Sequence, residues 1–337
     1  MPSDRRTFLK TTAVGLASTA ATFAPAETTA AGVAPAEPAD FAVPRNMTLL
    51  NMQTAAGPRL GVKQPRGILD VTAAAATHKL AAPLDMDDLL QHGKGGMLAR
   101  VVAAAAAGPD RLFLQESAVR HAPLVTRPEK IIMMGFNYRR HAVETGTPIP
   151  TNPVLFNKFN NALNHHGGAI ALPAVARNFD YEVELVIVFG RECRNVSEAG
   201  ALDYVAGYCT GNDFSARDMQ YLTSQFMIGK TFDGFAPLGP HLVTSDLVGD
   251  PNSLKLECRV NGEQRQDWNT NDMIFDCRQM ISFASRMMTI KPGDIMFTGT
   301  PHGVIFGKPK AEQVWLKAGD RVVCSVEKLG ELAFALT

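Results

Sequence analysis

The segment Asp180-Tyr181-Glu182-Val183-Glu184-Leu185-Val186-Ile187-Val188 constrains this chain more than any other. Its apolar second half reads as a strand running into a core. Side chains alternate along a strand, so Asp180, Glu182 and Glu184 share one face while Tyr181, Val183 and Leu185 share the other. Three acids on one face repel one another if all are ionised. Burying them without a counter-charge is costly. A hard divalent cation resolves the conflict, because oxygen donors suit magnesium, manganese or calcium. An edge strand with a solvated acidic face resolves it as well, and the strand alone does not choose between the two. A further acid, Asp213, follows the strand-like Tyr204–Thr210 within Gly211-Asn212-Asp213-Phe214-Ser215-Ala216-Arg217-Asp218. A strand end can hold a ligand there, although Asn-Asp alone is more often a turn or a helix cap.

The 337 residues allow one or two domains, and a hydrophobic content of 46% is enough for a sizeable core. Lysine plus arginine equals aspartate plus glutamate at 33 each, and no basic run or stacking-aromatic pattern appears. Nucleic acid and anionic membrane surfaces are therefore not expected partners. Cys193, Cys209, Cys258, Cys277 and Cys324 are scattered and lack zinc-site spacing, so buried free thiols are expected.

The chain opens Ser3-Asp4-Arg5-Arg6-Thr7-Phe8-Leu9-Lys10, followed by a mildly apolar run to Phe23 and the small-x-small Ala24-Pro25-Ala26. Charge, apolar stretch and cleavage pattern come in the order of a signal peptide. The paired arginines resemble a twin-arginine signal, with Asp4 where serine or threonine is more usual. Residues 1–26 are thus expected to engage the twin-arginine export machinery, giving a periplasmic or secreted protein. The run is too short for a stable membrane anchor. Residues 27–45, rich in Ala, Pro, Thr and Glu, read as a linker.

From residue 46 to 127 the pattern is a small α+β unit. A β-meander begins near Met47, Arg59 and Gly67, and helices are expected near Asp85–Gln91 and Gly96–Ala107. From 128 to 337 the pattern is β-rich. Strands are expected at Lys130–Met134, Tyr181–Val188, Leu254–Val260, Asp294–Thr298 and Arg321–Val326, and helices near Val196–Asp203 and Met273–Met287. Long Gly/Pro loops between them are where function tends to sit.

Several segments in order now carry a resemblance. They are Gly135-Phe136-Asn137-Tyr138-Arg139-Arg140-His141-Ala142-Val143-Glu144, Val154-Leu155-Phe156-Asn157-Lys158, Glu182-x-Glu184, Asn212-Asp213-x-Ser215-Ala216-Arg217-Asp218 and Gly229-Lys230-Thr231-Phe232-Asp233-Gly234-Phe235-Ala236-Pro237-Leu238-Gly239-Pro240. Asn261-Gly262-Glu263, Asn269–Phe275, Gly293-Asp294 and Thr298-Gly299-Thr300-Pro301-His302-Gly303-Val304 complete the series. Together they resemble the fumarylacetoacetate hydrolase family. The resemblance implies an α+β, β-rich fold: a mixed β-roll catalytic domain, often homodimeric, preceded by a small α+β domain.

It also implies roles. Glu182, Glu184 and Asp213 become metal ligands for Mg2+, or Mn2+ or Ca2+, with a small oxo-acid or dicarbonyl as substrate. His141 and Glu144, three apart on a helical turn, can form a general-base pair in which the carboxylate orients the imidazole. By resemblance they lie on a lid. Lys230 is placed to donate to an oxyanion. Lys158, Arg217, Gln220 and Thr300 are candidate substrate contacts, and Arg217 could equally pair with a nearby acid. Asp180 is expected beside the ligands rather than among them, and His165-His166 in a turn. The expected reaction is hydrolysis of a C–C bond in a 1,3-dicarbonyl through a metal-stabilised enolate. Decarboxylation, isomerisation, tautomerisation or hydration on the same site, and a non-catalytic binding protein, are the alternatives.

Overall fold

The meander expected after residue 46 forms because two-residue turns link its strands. Strand β1 (Thr48–Thr54) pairs with β2 (Gly57–Gln64) across Ala55-Ala56, and β2 with β3 (Gly67–Asp70) across Pro65-Arg66. Gly57 and Gly67 carry φ of 105° and 125°, backbone that glycine adopts without strain. Helix α1 (Val71–His78) starts at once, with Asp70 capping the Ala73 N–H. Helices α2 (Met86–Gln91) and α3 (Gly95–Ala105) follow as expected, while α1, a nearly uniform alanine run, carries no periodic signal in sequence.

The computed structural model describes residues 41–337. The signal proposed for 1–26 and residues 27–40 of the 27–45 linker lie outside the described residues. After the short β4 (Phe113–Leu114) the chain enters β5 (Ile131–Gly135), α4 (Arg139–Glu144), β6 (Val154–Lys158), β7 (Leu163–Asn164), β8 (Ala169–Ile170), β9 (Phe179–Asp180) and β10 (Val183–Phe189). Next come β11 (Val205–Asn212), β12 (Ser215–Ala216), α5 (Arg217–Gln220), α6 (Met227–Lys230), β13 (Ala236–Thr244), α7 (Ser245–Val248), β14 (Lys255–Val260) and β15 (Glu263–Asn269). The chain closes with α8 (Cys277–Met287), β16 (Ile295–Phe297), β17 (Arg321–Val326) and β18 (Gly330–Leu336).

The fold is strand-rich α+β. An eleven-stranded mixed sheet runs β4-β3-β2-β1-β13-β11-β10-β16-β5-β6, with β7 alongside β13. A five-stranded sheet, β15-β14-β17-β18-β8, packs against it. Strand β10 is buried along its whole length. Its odd residues Val183, Leu185 and Ile187 pack with Leu256, Val322 and Phe334 of the smaller sheet and with Met280 of α8. Its even residues Val186 and Val188 pack with Leu49, Leu60, Leu89 and Leu98 of the N-terminal segment. The boundary expected near Arg127-Pro128 is where the chain enters β5. On both sides of it the strands belong to one sheet, joined at Thr48↔Val243 and Leu49↔Leu242.

The helix expected at Val196–Asp203 does not form; only a 3-10 turn at Ala201–Tyr204 is present. Cys193 forms a bridge with Ile290, and the backbone N–H groups of Asn195 and Val196 bond Ser285 on α8, so tertiary partners replace intrahelical ones. All five cysteines are free and buried. No helix among the described residues is long and apolar enough to cross a membrane.

A cleft of about 680 Å3 lies where β2, the 116–121 segment, the 165–167 turn and β13 meet, and His121, His165, His166 and His241 line it. The His121 ring is 4.9 Å from that of His166 and 6.3 Å from that of His241. Burial first, then nearby positive charge, pulls His121 and His241 down to about 4. Both are neutral bases in the fold, while the unfolded chain takes up their protons below its ordinary value of about 6.5. Stability is therefore complete above that pH and falls as pH drops toward 4. By pH 5 the His241 share of the loss is on the order of 2 kcal/mol. Denaturant midpoints at pH 7.5 and pH 5 check this: the acid-induced drop should be smaller in His241→Gln, and an equal drop would rule the assignment out.

Candidate metal centre

Strands β10 and β11 pair in register, Val183 with Asn212 and Glu184 with Gly211. Gly211 is required there, because a Cβ would collide with Val186 and Phe297. Just past the ladder the Asp213 N–H donates to the Glu182 carbonyl at 2.9 Å. The two strand ends thus set Glu182, Glu184 and Asp213 side by side, with exposures of 5%, 1% and 1%. One oxygen from each lies within 4.8 Å of the others. The acidic face is therefore buried, and the solvated edge-strand alternative is excluded. Asp180, on β9, stands outside this group as expected. It accepts from Arg217 Nε (2.9 Å) and from the backbone N–H groups of Ile305 (2.9 Å) and Phe306 (3.0 Å).

Buried carboxylates need compensation, and three cations converge on them. Lys230 Nζ lies 2.7 Å from Glu182 and 2.8 Å from Asp213. Arg217 bridges Asp180 (2.9 Å) and Glu182 (2.7 Å). Lys158 Nζ lies 2.5 Å from Asp213 and donates to the carbonyls of Phe214 and Phe235. Burial alone would raise Glu182, but Arg217 and Lys230 hold it below the usual carboxylate range. Glu184 behaves oppositely: burial first, then the charges of Asp213 and Glu182, push its carboxyl well up. Its Oε2 accepts the Gly299 N–H at 2.7 Å. Four carboxylates (Asp180, Glu182, Glu184, Asp213) face three cations (Lys158, Arg217, Lys230), and the imbalance falls on Glu184. Three convergent carboxyl groups, one of them left without a cation of its own and ready to ionise beside one, fit a hard divalent cation in donor type and in sign.

The expected base pair is present. His141 Nδ1 and Glu144 Oε1 are 2.8 Å apart, and the Glu144 carboxylate also accepts the Gly303 N–H. Helix α4 is docked rather than free. Asn137 just before it bonds the Phe275 and Thr298 carbonyls and the Phe275 N–H, the Arg140 N–H bonds Asp272, and the Arg140 guanidinium lies 3.9 Å over Trp268. His141, 6% exposed, lines a narrow cavity together with the acid triad. With Nδ1 held by Glu144, Nε2 is the ring nitrogen left for chemistry.

Lys230, Arg217, Gln220 and Thr300 also line this cavity. Gln220 accepts from Arg217 at 3.0 Å. The Thr300 hydroxyl donates to the Val183 carbonyl and accepts from Gln266, so its proton is committed to the scaffold rather than to a substrate carboxylate. Lys158 differs from expectation: it is absent from the cavity lining and sits behind Asp213, with its side chain wholly buried. Burial outweighs the Asp213 carboxylate and lowers its ammonium to about 8. Its position in sequence, on a strand before a loop, does not reveal which side of Asp213 it approaches. His302 packs edge-on to Trp268 at 4.8 Å, and His165 and His166 lie in a turn at the histidine cleft. Unexpected from sequence were Gln266, which accepts the Val183 N–H and donates to Thr300, and an aromatic wall of Phe136, Phe156, Tyr221, Phe226 and Phe306. No local pattern joins those five residues.

Comparison with known proteins agrees with this architecture. Residues 130–337 match the family model described as fumarylacetoacetate (FAA) hydrolase, C-terminal. The chain is 40% identical over 297 residues to a mitochondrial oxaloacetate tautomerase of Bos taurus, covering 86% of this chain and 91% of that protein. It superimposes on a fumarylacetoacetate hydrolase from Exiguobacterium antarcticum with a TM-score of 0.70 at 30% identity, covering 87% and 99% of the two chains. Maleylpyruvate hydrolase from Sphingobium sp. SYK-6, solved with manganese(II) and pyruvate, matches with a TM-score of 0.70 at 32% identity, covering 86% and 99%. Family model, relatives and fold agree, and the chain belongs to the fumarylacetoacetate hydrolase family.

Proposed function

We propose that this chain is a divalent-metal-dependent enzyme that cleaves a C–C bond in a small 1,3-dicarbonyl oxo-acid by hydrolysis. The observation that carries the reading is the His141–Glu144 pair at 2.8 Å, lining one cavity with the Glu182, Glu184 and Asp213 carboxylates. A cation held by those three carboxylates would polarise the substrate carbonyls and favour enolate character in the leaving fragment. Glu144 fixes the imidazole through Nδ1, so Nε2 can take a proton from water. Lys230, on the cavity wall, can donate to oxygen that gains negative charge as water adds to the carbonyl. Arg217 and Gln220 line the same cavity and are joined by a hydrogen bond of 3.0 Å, which fixes the polar edge that a substrate would meet. The manganese and pyruvate bound by the Sphingobium relative, one third identical, support a metal and an oxo-acid here.

Tautomerisation of an oxo-acid is the second reading, favoured by the oxaloacetate tautomerases at 38–40% identity. It needs proton transfer between carbon and oxygen, which His141 can also perform, and no water. Turnover of acetylpyruvate and of oxaloacetate, each with EDTA and with added magnesium or manganese, separates the two. Metal-dependent release of acetate and pyruvate is the expected result. Metal-dependent keto–enol interconversion of oxaloacetate with acetylpyruvate left intact would replace hydrolysis by tautomerisation.

A further inference from the structure

The cavity lining combines two chemistries. The carboxylates, Arg217, Lys230 and His141 meet a ring cluster centred on Phe226, whose outer rings Phe306 and Phe156 lie 5.5 Å from Arg217 Cζ and 5.6 Å from Lys230 Nζ, respectively. The Phe226 centroid is 5.7 Å from those of Phe136, Phe156 and Tyr221, each at a steep interplanar angle of 71–82°. Tyr221 in turn stacks on Phe306 at 5.3 Å and 23°. Edge-to-face and offset-stacked contacts of this kind hold rings in fixed orientations and present flat apolar surface. The lysine and arginine of the lining, Lys230 and Arg217, are both engaged by Glu182, with Asp213 and Asp180 as their other partners. A carboxylate at the far end of a substrate would lose hydration against the rings and would have to compete with Glu182, Asp180 and Asp213 for Arg217 and Lys230, the cations near them. A flat apolar group would bury its surface against the same rings.

We propose that the aromatic wall selects 2,4-dioxo-acids whose acyl tail is flat and apolar, such as an aroyl group, over those whose tail ends in a second carboxylate. This rests on the oxo-acid reading above: the dioxo-acid head lies toward the carboxylate triad and the tail toward Phe226.

Three substrates test it on the metal-loaded enzyme: acetylpyruvate, benzoylpyruvate and succinylpyruvate, which differ only in the tail. Benzoylpyruvate should have a kcat/KM at least about tenfold above that of succinylpyruvate, within the range that apolar pockets achieve. In Phe226→Ala the ratio of benzoylpyruvate to acetylpyruvate should fall about tenfold. Phe306→Leu, a milder change at the wall's edge, should lower the same ratio less and covers the case in which Phe226→Ala fails to fold. Equal or better turnover of succinylpyruvate, or an unchanged ratio in the folded variants, would overturn the proposal. If no dioxo-acid is turned over, the hydrolase reading fails by itself. Calorimetric binding of the same three compounds to the metal-loaded protein then decides the tail preference, with tighter binding of benzoylpyruvate supporting it and tighter binding of succinylpyruvate overturning it.

Discussion

Glu184→Gln should yield a protein that folds at least as well as the parent and binds divalent cations at least about 100-fold more weakly, with turnover lost in step. The two effects have opposite signs for one reason. Glu184 is the carboxyl left without a cation of its own, pushed well above its ordinary range by burial and by Asp213 and Glu182. Glutamine keeps the shape and can still accept the Gly299 N–H, while removing the repulsion. Relief on the order of 1 kcal/mol corresponds to a rise of a few degrees in Tm for a chain of this size. The same substitution takes one anionic ligand from a set of three, and a hard cation depends on that charge. Glu182→Gln gives a useful contrast, because Lys230 and Arg217 both lean on Glu182. Leaving buried cations short of a partner costs about 3–5 kcal/mol. Thermal unfolding together with manganese titration reads both arms. Stoichiometric metal and full activity in Glu184→Gln would remove Glu184 from the ligand set.

His141→Ala should lower turnover by about 10²- to 10⁴-fold, the usual contribution of a positioned general base, with metal stoichiometry unchanged. The imidazole is not among the three carboxylate donors; it is held by Glu144, three residues along α4, and faces the cavity. Glu144→Gln should cost less. A glutamine carbonyl can still accept the Gly303 N–H and orient the ring, but it withdraws the negative charge that favours the imidazolium. Metal analysis and steady-state kinetics on both variants are sufficient. Full turnover in His141→Ala would assign proton transfer elsewhere, and loss of metal would recast His141 as structural support for the triad.

These two predictions rest on residues that local periodicity already grouped. The two-residue alternation of a strand put Glu182 and Glu184 on one face, and the three-residue separation on a helical turn put His141 beside Glu144. The meander, α2, α3, α8 and strands β5, β10, β14, β16 and β17 were likewise legible, since turn glycines, caps and apolar spacing act over a few residues. What the triad's charge balance would be was not legible. Lys158, Arg217 and Lys230 lie 55, 4 and 17 positions from Asp213 in the chain, and nothing in their spacing says that the first approaches Asp213 from behind while the others line the cavity. Thr300 illustrates the same limit: its loop position suggested a ligand contact, yet the carbonyl of Val183 and the amide of Gln266 occupy its hydroxyl. The segment 196–203, expected to be helical, is instead tied to α8 at its start, where the Val196 N–H bonds the Ser285 hydroxyl and the Val196 carbonyl accepts from Ser282. The aromatic wall gathers residues from four separate stretches between Phe136 and Phe306. Repeating backbone geometry writes itself into neighbouring residues, whereas pairing of buried charges and the lining of a cavity depend on which distant surfaces the fold brings together.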